Sequence, residues 1–226
     1  MPEFNSRKQN STSTDTTYIL VILDASNSMN AQWGNETRWT YSIKMLDKIT
    51  DSLKTHSGVF LGLRVFGHRK GYRGERDCRD TRLELPFSPQ WHTKIKEVTS
   101  TIKPKGTTLI AFALEKGADD FPPCIKCKKT IIIITDGIEE CGGDICQTAQ
   151  KLIEKGITIR PFIIGVAMDK ETMRVYECLG KVMPAPQPAS LDSAFSAVIN
   201  YIKNPAPLKI FITDRAGNPV ADSIPI

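Results

Sequence analysis

Long apolar runs are absent from this chain of 226 residues. Runs such as Ile131 to Ile134 are far shorter than the roughly 20 residues that span a bilayer, so no membrane span is expected. The polar amino terminus lacks the apolar core of a signal peptide, and its first residues resemble a cloning remnant. Residues 1–16 are therefore interpreted as a disordered tag or linker.

Common catalytic and nucleotide-binding motifs are also missing. The chain contains no GxSxG elbow, no GxxxxGK[ST] loop and no GxGxxG fingerprint, which argues against several enzyme classes. Its net charge of +5 is modest, and the basic residues are scattered apart from one crowded stretch at residues 69–79. Nucleic-acid binding is therefore not expected. A hydrophobic fraction of 40% is that of an ordinary globular protein.

What the chain does contain is an alternation of strand and helix patterns. Strands are predicted at Thr17–Leu23, Val59–Phe66, Thr81–Leu85, Thr130–Thr135 and Ile157–Val166. Helices are predicted at Arg38–Leu53, Trp91–Ile102, Leu109–Gly117, Asp144–Lys155, Asp169–Leu179 and Leu191–Lys203. The loop between the second and third strands is too short for a crossover helix, so this pair is expected to be antiparallel.

The alternation predicts an α/β fold in which helices cover both faces of the sheet. We interpret it as a Rossmann-like, doubly wound, mostly parallel six-stranded sheet with one antiparallel strand. Ligands of such folds bind beyond the carboxyl ends of the strands. Asp24 and Asp136 both follow predicted strands, so both are expected at that edge.

Three segments bring oxygen-bearing side chains to this edge. Asp24, Ser26 and Ser28 share one tight turn, Thr108 precedes a predicted helix, and Asp136 follows the most apolar strand. Carboxylate and hydroxyl oxygens with few formal charges suit Mg²⁺ or Mn²⁺, and Ca²⁺ is also compatible. Taken alone, the first segment could be a strand-closing turn, and Thr108 could be a helix N-cap.

The three segments together resemble the von Willebrand factor A family. Its metal-ion-dependent adhesion site combines Asp-x-Ser-x-Ser with a distant threonine and a distant aspartate. The resemblance covers residues 17–203 and matches the threonine to Thr108, with Thr107 as the nearby alternative, and the aspartate to Asp136. Segments 64–69, 77–80 and 136–146 are similar to a bacterial, exported branch of the family. The Gly71–Arg76 insertion and Asn27 depart from that branch without removing a ligand.

The resemblance implies how the metal would be held. Ser26, Ser28 and Thr108 would coordinate the ion directly, while Asp24 and Asp136 would act largely through water. The remaining coordination position would accept a carboxylate from a partner, either a protein or an extracellular polymer. The expected function is therefore metal-dependent binding or adhesion by a monomeric, non-enzymatic module.

Two other functions remain open at this point. The first is a phosphotransferase of haloacid-dehalogenase type with Asp24 as its nucleophile, but that chemistry needs a second carboxylate where this chain has Ser26. The second is a structural subunit with a vestigial metal site.

His68 is expected to have a hydrogen-bonding scaffold role at a strand end instead of ligating the metal.

Six cysteines form an even set in a chain long enough to fold without cross-links, which favours an oxidising compartment. The expected location is extracytoplasmic: periplasm, cell surface or secreted. A zinc site formed by Cys124, Cys127, Cys141 and Cys146 is excluded. The strand at residues 130–135 places the first two cysteines about 25 Å from the last two. The expected bridges are Cys78–Cys141, Cys146–Cys178 and Cys124–Cys127. Free buried thiols and a redox-active Cys124/Cys127 pair are the alternatives.

The pattern changes after residue 203. Residues 204–226 read as a proline-bearing linker, one strand and a turn-rich piece. About 20 residues cannot form a domain. This segment resembles the opening of a β-sandwich, so the natural protein is expected to continue beyond it.

Overall fold

A computed structural model of the chain describes residues 16–72, 76–124, 127–154 and 162–203, together with two short strands near the carboxyl terminus. The strands in chain order are β1 (Thr17–Asp24), β2 (Gln32–Trp33), β3 (Glu36–Thr37), β4 (Val59–Phe66), β5 (Thr81–Ser88), β6 (Lys128–Thr135), β7 (Phe162–Val166), β8 (Lys181–Ala185), β9 (Lys209–Ile210) and β10 (Ile224–Pro225). The predicted tag segment up to residue 15 lies outside the described residues.

Six of these strands form one sheet in the order β5-β4-β1-β6-β7-β8. All neighbours are parallel except β4 and β5, which pair antiparallel as predicted. The chain leaves β1 for β4 on one side and later returns to β6 on the other side. The carboxyl ends of β1 and β6 therefore flank the topological switch point where such folds bind ligands.

Helices cover both faces of the sheet. They are α1 (Arg38–Leu53), α2 (Trp91–Thr101), α3 (Ile110–Asp119), α4 (Ile145–Glu154) and α5 (Leu191–Lys203). Successive side chains of β1 point to opposite faces, so Ile19 and Val21 pack with α1, α2 and α5, whereas Leu20 and Ile22 pack with α3 and α4. The predicted doubly wound α/β fold is confirmed.

The predicted helix at Asp169–Leu179 is wrong. This segment contains only a 3₁₀ helix, Thr172–Tyr176, in which backbone amides bond to carbonyls three residues back. Tertiary contacts hold it in this form: the Met173 side chain fills the space beside Gly165, and the Tyr176 hydroxyl donates to the Gly137 carbonyl at 2.5 Å. A wider helical turn would move both side chains.

The sixth strand, β8, lies in a segment to which the sequence patterns assign no structure. It is an edge strand, as is β5, which extends past its predicted end at Leu85 to Ser88. Each edge strand contains a proline, Pro86 in β5 and Pro184 in β8. Proline is compatible with an edge strand because one side of that strand needs no backbone donor.

Other predictions fall partly outside the described residues. The strand predicted at Ile157–Val166 is described only from Phe162 onwards. Of the predicted β-sandwich segment, only β9 and β10 are described, and they pair antiparallel. Within the described parts of the chain, no helix is both long and apolar enough to cross a bilayer.

Candidate metal centre

The five predicted ligands meet at the carboxyl edge of the central strands. Asp24 is the last residue of β1, and Asp136 directly follows β6. Because β1 and β6 are neighbouring parallel strands, with Leu23 opposite Ile134, the two carboxylates emerge side by side. Ser26 and Ser28 lie in the turn after β1, and Thr108 lies in the loop before α3.

Asp24 is fully buried beneath this edge. Its Oδ1 accepts from the Ser26 amide at 2.7 Å, and its Oδ2 accepts from the Thr135 hydroxyl at 2.6 Å. Burial, and secondly the nearby charge of Asp136, raise the pKa of the Asp24 carboxyl to about 7. The arrangement therefore disfavours the carboxylate form unless a cation is added.

The second carboxylate contacts both a ligand serine and a cation. The Ser28 hydroxyl donates to Asp136 Oδ1 at 2.8 Å, and the Ser26 and Ser28 hydroxyls share a hydrogen bond of 3.0 Å. Arg38, the first residue of α1, donates to Asp136 Oδ2 at 2.7 Å. Ser28 is exposed whereas Asp24 and Ser26 are buried, so solvent reaches the cluster from the Ser28 side.

Thr108 completes the cluster from the side of α3. A Cβ atom built on Gly137 would lie 3.3 Å from the Thr108 hydroxyl, which places that hydroxyl beside the Asp136 turn. The alternative reading of Thr108 as a helix N-cap is wrong, because α3 has Leu109 at that position. Thr107 is also buried, and its carbonyl oxygen lies beside Gly67, 2.9 Å from a Cβ atom built on that glycine.

Two glycines let the three loops approach each other. Gly67, with a φ of +69°, and Gly106 face each other so closely that a Cβ on Gly106 would lie 2.8 Å from the Gly67 Cα. Gly106 also pairs with Ser26 as an isolated β-bridge, and its carbonyl accepts from the Asn27 amide at 2.8 Å. The turn that carries the serines is thus fixed by backbone contacts on both sides.

The loop after Asp136 is held by its own acidic side chains. Glu139 accepts from the Ala111 amide at 2.8 Å, which satisfies a donor at the start of α3, and from the Cys141 amide of its own loop at 2.9 Å. Glu140 accepts from the Thr108 amide at 3.3 Å. Both carboxylates therefore position the candidate ligands without belonging to the predicted ligand set.

All three expected disulfides are present: Cys78–Cys141, Cys146–Cys178 and Cys124–Cys127. The first two lie at the carboxyl edge, and the third precedes β6 at the opposite edge. No described cysteine is a free thiol, so the free-thiol alternative is wrong.

His68 follows β4 and shares a hydrogen bond of 2.6 Å with Glu84 of β5 through its Nε2. This contact agrees with the predicted scaffold role at the strand end.

The sequence patterns did not single out Thr135 or Arg38, although both contact a candidate ligand. The patterns mark Thr135 only as the end of a strand and Arg38 only as the start of a helix. The signal that could have found Thr135 is a lone hydroxyl directly before Asp136 in an otherwise all-isoleucine strand. Arg38 offers no such signal, because its contact with Asp136 depends on the direction in which α1 continues from β3.

The donor set suits a hard divalent cation. Two carboxylates and three hydroxyls converge, and one carboxyl has a raised pKa that a neighbouring positive charge would lower. Within the described ranges, no three His, Cys, Asp or Glu side chains cluster as a metal site. That finding bears on a different type of site, because three of the five candidates here are serine or threonine.

A family model described as von Willebrand factor type A domain matches residues 19–183, which is most of the chain. The chain belongs to this family. Von Willebrand factor type A domains are generally non-enzymatic interaction modules and typically mediate protein–protein adhesion.

Known relatives include the protein YwmC of Bacillus subtilis (strain 168). It is 29% identical over 168 residues, which cover 73% of this chain and 72% of YwmC. Among solved structures, BatB from Bacteroides thetaiotaomicron has a TM-score of 0.65 and 22% identity, with 83% of this chain and 97% of BatB covered. The pilus adhesin SpaC from Lactobacillus rhamnosus GG has a TM-score of 0.64 and 15% identity, with 84% and 31% covered. The two structural similarities concern the fold.

Proposed function

We propose that this von Willebrand factor type A domain binds a divalent cation, Mg²⁺ or Mn²⁺, and uses it to bind a carboxylate of a protein partner. The convergence of Asp24, Ser26, Ser28, Thr108 and Asp136 at the switch point supports this proposal. When bound, the cation would supply an electrophilic position for an anionic oxygen. The protein's own side chains would orient the ion and leave one side of it accessible past Ser28.

The proposed setting is extracytoplasmic. Three disulfides in a domain with a full hydrophobic core indicate an oxidising compartment, since the core itself does not need them. The similarity in fold to a pilus adhesin agrees with this setting. The haloacid-dehalogenase alternative is not favoured, because the position two residues after Asp24 holds a buried serine instead of a second carboxylate.

Metal titration of ligand variants tests the proposal. We expect Mg²⁺ to raise the melting temperature of the wild-type protein, because an ion that binds only the folded state stabilises it by mass action. Ser28→Ala removes an exposed ligand hydroxyl and should weaken Mg²⁺ binding about tenfold or more in calorimetry. Asp24→Ala should abolish it.

A matched control separates ligand loss from general destabilisation. Ser196 is exposed on α5 and its hydroxyl donates to the Asp192 carbonyl of the same helix, away from the candidate ligands, so Ser196→Ala should leave Mg²⁺ affinity unchanged. Equal Mg²⁺ affinity in Ser28→Ala, Asp24→Ala and wild type would contradict the assignment of Ser28 and Asp24 as ligands. Turnover of p-nitrophenyl phosphate that is lost in Asp24→Asn would favour the phosphotransferase instead.

A further inference from the structure

Exposed basic side chains lie in two loops beside the candidate metal centre. Arg69 and Arg79 lie in the loop between β4 and β5, and Lys103 and Lys105 lie in the loop between α2 and α3. All four are exposed, and none forms an ion pair within the part of the chain that the structure describes. These four residues are called the basic rim below.

Backbone contacts connect the basic rim to the turn after β1, which carries the candidate ligands Ser26 and Ser28. The Lys105 amide donates to the Ala25 carbonyl at 3.0 Å and to the Gly67 carbonyl at 3.3 Å. Ala25 lies between two candidate ligands, Asp24 and Ser26. Lys103 is two residues away, so its Cα is at most about 7 Å from that of Lys105. The loop that carries both lysines therefore borders the turn that carries Asp24 and Ser26.

Acidic side chains near the rim are occupied by local contacts. Glu139 and Glu140 accept from backbone amides around α3. Asp80 accepts from the amides of residues 69 and 70, and Asp77 pairs with Lys70 at 3.1 Å. These contacts hold the carboxylates in place, while the four exposed side chains of the basic rim present positive charge to an approaching partner.

A polar cavity of about 200 Å³ opens between the two lysines and the β4–β5 pair. Its lining includes Arg82 and Glu84, which form two hydrogen bonds of 2.6 Å with each other. Because Arg82 neutralises the charge of Glu84, Lys103 and Lys105 give the cavity its positive charge. The cavity has room for a carboxylate-bearing side chain.

Exposed apolar side chains lie at the same edge. Ile138 follows the Asp136 turn and is 48% exposed, and Tyr72 is 40% exposed. Tyr72 is close to the site because its amide donates to the Lys105 carbonyl, and Arg76 bridges its hydroxyl to the Glu140 carbonyl. Apolar contacts beside cationic ones suit a polypeptide better than a sugar–phosphate polymer.

We propose that the basic rim is a docking surface for an acidic polypeptide segment that carries several carboxylates. One carboxylate binds at the metal, and a second binds between Lys103 and Lys105 in the cavity. This inference rests on the proposed metal-dependent function and adds the class of partner. Complementary charge of this kind contributes to specificity and association rate.

Binding of two synthetic peptides tests the rim. The probes are hexaglutamate and a matched peptide with one glutamate and five glutamines, both acetylated at the amino terminus and amidated at the carboxyl terminus, and both measured by calorimetry with saturating Mg²⁺. The variant is Lys103→Glu/Lys105→Glu. Its control is Lys94→Glu/Lys151→Glu, which makes the same change in net charge at exposed positions away from the metal edge.

We expect the rim variant to weaken hexaglutamate binding about tenfold at low salt and to leave the single-glutamate peptide within about twofold. The control variant should change neither by more than about twofold. Lys103→Arg/Lys105→Arg should retain wild-type affinity. An equal loss in both reversal variants, or hexaglutamate binding no tighter than the single-glutamate peptide, would overturn the proposal.

Two further measurements separate the possible failures. Hexaglutamate binding that needs Lys103 and Lys105 but persists in EDTA would support the rim while contradicting the metal-dependent function. Mg²⁺ binding that is lost in Ser28→Ala, combined with no effect of the rim variant, would support the metal site and overturn the rim. A six-unit polyphosphate that binds more tightly than hexaglutamate would overturn the choice of a polypeptide partner.

Discussion

The two edges of the central sheet differ in what they bury. The three buried carboxylates among the described residues, Asp24, Asp80 and Asp136, all lie at the carboxyl edge. Two of the three disulfides also lie there. The opposite edge, where β1 and β6 begin, is bordered by partly exposed side chains and by the short Cys124–Cys127 loop.

The difference indicates that the carboxyl edge lowers the stability of the fold. Buried carboxylates cost free energy unless hydrogen bonds or cations compensate them, and here two of them face each other. The centre of β6 has no such cost, because its four isoleucines are fully buried in an apolar environment. A polar cluster that weakens the apo protein is expected at a site whose ligand is a cation.

The largest test of this contrast is disulfide removal. Cys78→Ala/Cys141→Ala opens a bridge with a sequence separation of 63, so the chain-entropy relation gives a loss of about 4 kcal/mol in the free energy of unfolding. Cys124→Ala/Cys127→Ala opens a separation of 3 and should cost about 2 kcal/mol. Guanidinium denaturation of both variants measures the difference. Equal losses of unfolding free energy in the two variants would contradict the expectation that the carboxyl edge depends more on its disulfide for stability than the opposite edge does.

A test of intermediate size uses pH. The folded-state pKa of Asp24 is raised from 3.8 to about 7, so the folded state holds this proton more tightly than the unfolded state. Without metal, the free energy of unfolding should therefore fall as pH rises from about 4 to about 7, by at most about 1.4 kcal/mol per pH unit from this group. Saturating Mg²⁺ should reduce the fall, because it favours the carboxylate.

Asp24→Asn is the control for the pH experiment, since it cannot titrate. Chemical denaturation at pH 4.5, 5.5, 6.5 and 7.5 should give a flatter profile for this variant than for wild type, with both proteins free of metal. Parallel profiles for the two proteins would show that other groups determine the pH dependence.

The sequence predicted the interior of the fold well and its margins poorly. The β1 and β6 strands were recognisable because apolar residues continue to a single acidic residue, and that transition also located Asp24 and Asp136. The edge strands were harder, because Pro86 and Pro184 are unfavourable in a central strand and their tolerance at an edge depends on the sheet order. Sheet order is a tertiary property that no local pattern contains.

The candidate site shows the same division. Its five predicted ligands came from residue types and order, and the structure brings them together. Arg38 was not predicted, because its contact with Asp136 depends on the path of the chain through the short β2–β3 hairpin into α1. The 3₁₀ segment was missed for a related reason, since the contacts of Met173 and Tyr176 with distant residues determine it.

Arg38 supports the smallest and most specific test of the contrast between the edges. Its guanidinium already neutralises Asp136, so an incoming cation must share that carboxylate and is repelled by the arginine. Arg38→Met keeps the apolar stem and should raise Mg²⁺ affinity severalfold, or by about 1 kcal/mol. Lys54→Met, which removes an exposed ion pair beyond the other end of α1, should have no effect in the same calorimetry. Weaker Mg²⁺ binding in Arg38→Met would mean that the arginine holds Asp136 in its binding orientation, and the polar cluster would then be assembled by its internal cation before any metal arrives.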